Sequence, residues 1–109
     1  MKIAVTATGE KLSDNLDPRF GRTEKIIIYD LEVGTYEVLD NSESLNASGG
    51  AGIKTAEKIV NTNSTVVITG DCGPKAMNVL NAAKVKVFYS KALTVEDAIN
   101  EYKEKNKAW

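Results

Sequence analysis

The chain carries a single thiol, Cys72, in the stretch Thr69-Gly70-Asp71-Cys72-Gly73-Pro74, and it contains no histidine. A cysteine at or just before a helix N-terminus sits where a thiol pKa is lowered, which favours the thiolate needed of a nucleophile or metal ligand. A free cysteine is just as readily a small apolar filler, and the residues alone leave both roles open. One sulfur and no imidazole cannot complete a four-ligand zinc site or hold an iron-sulfur cluster within one chain. Single-point attachment of a preassembled cluster, or a site shared between chains, stays within reach. A Ser-His-Asp hydrolase is excluded.

Two other stretches hold residues suited to an anionic guest. Arg19, Phe20, Gly21 and Arg22 follow Asp17-Pro18 in a segment with no periodic pattern, and the arginines supply formal positive charge. Gly49, Gly50 and Gly52 precede or open a helical pattern, as Gly73 and Pro74 do after Gly70, Asp71 and Cys72. Helix starts expose unpaired N–H groups and a partial positive charge, and glycine lets a ligand approach the backbone closely. Lys75 adds a cation beside the second start. Asp14, Asp17 and Asp71 could form a carboxylate metal site, but Asp in such segments usually satisfies local backbone donors in turns and caps.

These groups meet only if the elements between them bring them to one edge. Residues 3–8 alternate as a strand, 24–30 are a short apolar run, and Gly34 marks a hairpin turn into 35–40, whose polar residues read as an edge strand. Helical spacing follows in 49–62, with Ile53, Ala56, Ile59 and Val60 on one side and the glycines before or within the first turn. The β-branched run 65–69 reads as a central strand, Pro74 fits a first helical position, and 85–89 form a fifth strand. Thr94 and Asp97 have N-cap spacing for a last helix striped by Val95, Ala98, Ile99 and Tyr102. The order is βββαβαβα, with 9–23 and 41–50 expected as loops. Right-handed crossovers then give a five-stranded mixed sheet of order 3-2-1-4-5, with two helices on one face and the third on the other. The arginine segment, the Gly49–Gly52 segment and Cys72 all fall at one edge of that sheet, and the first loop and Cys72 flank the point between strands one and four where open α/β sheets bind ligands.

Composition sets the outer bounds. At 109 residues the chain fits one domain, 1–109, burying about two-thirds of its unfolded surface. Lys and Arg number 14 against 15 Asp and Glu, a net charge of −1, so no pull toward nucleic acid or an anionic membrane is visible. No signal peptide or membrane-spanning stretch is seen, and a cytoplasmic protein is expected.

Taken together, IAVTAT, LDPRFGRTEKIIIYD, GGAGIKTAEKI, VVITGDCGPKAMNVLNAAKVKVFYS and TVEDAINEY resemble the dinitrogenase iron-molybdenum cofactor biosynthesis family over nearly the whole chain. One departure is that Arg19 precedes Phe-Gly-Arg where many relatives have histidine. The resemblance implies a ribonuclease H-like α/β fold. It also implies a non-enzymatic carrier that binds an anionic iron-sulfur or iron-molybdenum-type cofactor, or its precursor, and hands it to cofactor-assembly proteins. Arg19, Phe20, Gly21, Arg22, Gly49, Gly50, Gly52, Gly70, Asp71, Cys72, Gly73 and Pro74 form the expected binding site, with Cys72 as metal ligand. Two alternatives come from other classes. One is a small interaction or regulatory module that binds another anion. The other is a nuclease, disfavoured because Ala4 and Thr6 stand where the first strand would need a metal-binding acid.

Overall fold

The computed structural model describes residues 1–45 and 50–106. Its strands are β1 (Lys2–Ala7), β2 (Lys25–Asp30), β3 (Tyr36–Asp40), β4 (Val66–Thr69) and β5 (Lys86–Tyr89). Its helices are α1 (Ser42–Leu45), α2 (Ala51–Val60), α3 (Pro74–Ala82) and α4 (Val95–Lys105). The sheet order is β3-β2-β1-β4-β5, as the crossover argument requires. β1 runs antiparallel to β2 and parallel to β4, with Val5 opposite both Ile27 and Ile68. β3 and β5 are the edges.

The two faces bury separate cores. Ile3, Val5 and Ala7 point with Ile27 and Ile68 toward Val95, Ala98 and Ile99 of α4. Ala4, Ile26, Ile28 and Val67 pack under Ala56 and Ile59 of α2 and Ala76 and Leu80 of α3. Small side chains at positions 4 and 76 let those two helices sit close to the sheet.

Four helices are described where three were expected. The extra one, α1, has four residues in the segment expected to be a loop. Short-range bonds build it: Asp40 Oδ1 accepts from Ser42 N, and Asn41 O from Ser44 N. Asn41 is itself fully buried; its Nδ2 donates to Thr23 O and Thr55 Oγ1, and its Oδ1 accepts from Ser44 Oγ. One amide thus ties α1, α2 and the end of the arginine segment together. The β2–β3 hairpin turns at Gly34, whose φ of 82° is a left-handed conformation that glycine adopts without strain.

Candidate functional site

The segment 9–23 contains no named helix or strand, yet it is tightly held as a strap over the carboxyl ends of β1 and β4. Its first half bonds to the approach to α4: Leu16 N donates to Leu93 O, and Val95 N to Asp14 O. Asp17 is fastened to β1, its N donating to Thr6 O and its O accepting from Thr6 Oγ1 at 2.6 Å. Arg19 then pairs with Asp71 as an isolated bridge, and Phe20 N donates to Asp71 O at 3.1 Å. Leu16 is buried in the core under α4, and Phe20 in the core under α2 and α3. The strap therefore crosses the rim with one apolar plug on each side, each contributing about 1.5–3 kcal/mol of burial.

Glycines set how close the strap lies. A Cβ on Gly70 would stand 2.7 Å from Pro18 Cα, and one on Gly21 would stand 2.9 Å from Gly52 N. The second contact brings the strap's backbone directly against the start of α2. Between strap, α2 and α3 lies a pocket of about 300 Å³. Phe20 and Gly21 form one wall, Gly50, Gly52 and Ile53 a second, and Gly73, Pro74, Lys75 and Ala76 the third.

Both helix starts at this pocket lack a side-chain cap and carry no acidic residue in the first turn. The N-cap of α2 is Gly50 in a left-handed conformation (φ 73°, ψ 9°), and helical Ala51 follows. That alternation turns successive N–H groups toward a common point, a backbone concavity suited to an anion. At α3, a Cβ on Gly73 would meet nothing within 4 Å, so the helix start is open to a guest. Two positive dipole ends and Lys75 give the pocket an anion-accepting character with little formal charge.

The expected site residues divide into groups. Phe20, Gly21, Gly50, Gly52, Gly73 and Pro74 line one pocket. Arg19 is exposed and outside that lining, paired through Nε with Asp17 Oδ1 at 3.3 Å, and Arg22 is exposed three residues on. Gly70 faces away from that pocket and lines a second groove of about 400 Å³ with Pro18, Ser90 and Leu93. Asp71 is exposed and serves the strap through its backbone. Gly49 lies outside the described residues.

Cys72 stands apart from that lining. It is half-buried at the rim, packed against the core under α2 and α3, with Sγ 3.8 Å from Gly73 O, and it is not among the residues lining the pocket. Burial, followed by the Asp71 carboxylate, pushes its thiol up rather than down. The helix begins at Pro74 with Gly73 as cap, so Cys72 lies one residue before the cap, where the neutral thiol is favoured at pH 7. Asp14 and Asp17 are turn formers, Asp14 accepting from Lys11 N and Asp17 from Arg19 N. Among the described residues no group of three or more carboxylate or thiol side chains could hold a metal ion.

Sequence reasoning missed Ile53 and Ala76 as pocket walls, having read both as core positions, and missed the second groove entirely. Helical periodicity marks a side chain as apolar-facing but does not separate a core from a pocket wall. Also among the described residues, no helix is long and apolar enough to cross a membrane.

The chain is an α/β protein with a five-stranded mixed sheet, and its glycine-lined pocket lies at the carboxyl rim, where open α/β sheets commonly carry their ligand sites. The family model for dinitrogenase iron-molybdenum cofactor matches residues 1–105, and the chain belongs to that family. An uncharacterized protein of Methanocaldococcus jannaschii is 30% identical over 107 residues, spanning 95% of this chain and 86% of the relative. The apo form of the orange protein from Desulfovibrio gigas superposes with a TM-score of 0.92 at 38% identity, covering 95% of this chain and 88% of that one. A NifB candidate from Thermotoga, solved by NMR, gives 0.83 at 34% identity over 94% of this chain and 87% of its own.

Proposed function

We propose that this protein is a non-catalytic cytoplasmic carrier for an anionic iron-sulfur or iron-molybdenum-type cluster, or its precursor, which it passes to cofactor-assembly proteins. We read its 109 residues as one ribonuclease H-like domain. The observation that carries the reading is the pair of uncapped, glycine-led helix starts sharing one pocket beside an arginine-bearing strap, in a family named for such a cofactor. The cluster is cargo: the N–H groups of α2 and α3 hold its negative charge, and Arg19, Arg22 and Lys75 add formal charge at the margins. Cys72 supplies one thiolate after losing a proton that its surroundings favour keeping.

The test is to mix the protein anaerobically with preassembled iron-sulfur cluster or isolated cofactor, pass it over a gel-filtration column and record visible absorption. The parent keeps colour and Cys72→Ser loses most of it. No colour in the parent sinks the carrier reading; equal colour in both removes Cys72 as a ligand. A second reading, an interaction or regulatory module binding another small anion, draws on the second groove, where Leu93 is 70% exposed. A stable protein partner captured under anoxic conditions, with no cluster bound, would favour it.

A further inference from the structure

We infer that Asp17 is a positioning residue that aims Arg19, so that the cargo is met by the end of the guanidinium rather than its side. This rests on the carrier reading. A turn former needs one accepting oxygen and no burial, yet Asp17 is 1% exposed and its Oδ2 has no hydrogen-bond partner among the described residues. Its peptide is held to Thr6 from both sides, so the carboxylate cannot drift with the strap. Burying a charge is costly unless it is paired. The cation it touches is Arg19, from which Oδ1 accepts both the backbone N at 3.0 Å and Nε at 3.3 Å.

That contact fixes a direction. A guanidinium offers five N–H donors, and a side-on pair of bonds uses Nε together with one Nη. With Nε turned inward to Asp17, the side-on edge is occupied and the two Nη groups form the free end of a side chain that is 67% exposed. The guest suited to that end presents two neighbouring oxygen or sulfur acceptors, as the face of a polynuclear anion does and a single carboxamide does not. A lysine at 19 would keep the charge without the fork or the inward anchor.

The test uses the whole chain with arginine side chains labelled with nitrogen-15. In the parent, the Arg19 Nε–H resonance is protected from exchange; Asp17→Asn, which is isosteric but exchanges the charge-assisted bond to Nε for a weaker neutral one, lowers that protection. Retention of preassembled iron-sulfur cluster falls roughly two- to tenfold in Asp17→Asn, the worth of about one net hydrogen bond. Arg19→Lys falls by a similar factor and, because residue 19 is exposed, carries the test if Asp17→Asn loses its fold by near-ultraviolet dichroism. An unchanged Nε–H resonance in Asp17→Asn, or cluster retention in Arg19→Lys equal to the parent's, overturns the inference. A parent that retains no cluster defeats the carrier reading instead, and the Nε–H comparison still decides whether Asp17 anchors Arg19.

Discussion

Three helices of this fold begin at or near the carboxyl rim, and they begin in two different ways. α4 is self-sufficient: Thr94 Oγ1 accepts from Asp97 N at 3.1 Å, and Glu96 and Asp97 place negative charge in the first turn. α2 and α3 have glycine caps, no side-chain acceptor and no acidic residue in the first turn. Capping by Ser, Thr, Asp or Asn is generally worth about 1 kcal/mol over an alanine. The two starts beside the pocket forgo that side-chain cap, and the one outside it does not. The difference teaches that the rim's open dipole ends are a local property of the pocket, not of the fold.

The strap that closes the pocket is expected to be the most sensitive element. Gly70→Ala drives a Cβ to within 2.7 Å of the Pro18 backbone, where no flexible side chain can yield. Its expected cost is about 1–3 kcal/mol, in line with overpacking at other sites. The denaturant midpoint measures it. A midpoint equal to the parent's would mean the strap floats and could not define a pocket wall.

Smaller, and specific to the thiol, is the pH dependence of Cys72. Because burial and then Asp71 raise its folded pKa, its contribution to stability is present below the ordinary thiol range and is lost as pH rises through the raised value. Alkylation rate against pH should therefore show a midpoint above that of a free thiol, moving back toward it in Asp71→Asn. A midpoint below the free thiol's would restore a helix-activated thiolate and make Cys72 part of the open, positive end of α3.

Much of this architecture was legible in the chain. Alternation in β1, the β-branched run of β4 and the Thr94 cap fixed strand order and helix placement, and strand direction alone brought the arginine segment and Cys72 to one rim. What stayed hidden depends on contacts distant in sequence. The meeting of Gly21 with Gly52 spans two crossings of the fold, and neither glycine announces its partner. Asn41 reads as a loop residue because its burial comes from Thr23 and Thr55, which no local pattern connects to it. The four residues of α1 are too few to show a period. Cys72 was placed correctly along the chain, but whether its side chain faces free N–H groups or the core is decided by the turn before Pro74, which the sequence leaves open.

The most direct test of the open-rim account compares Gly73→Asp with Thr94→Ala in the same anaerobic cluster-retention measurement. Asp at position 73 caps α3 and raises stability by a few tenths of a kcal/mol. It also sets a fixed negative charge where the cargo's charge belongs, a repulsion of about 1–4 kcal/mol at contact distance that lowers retention roughly tenfold or more. Thr94→Ala loses about 1 kcal/mol of stability and leaves retention unchanged. A Gly73→Asp protein that is as stable as the parent and holds cluster equally well would contradict the claim that the uncapped helix starts form the binding site.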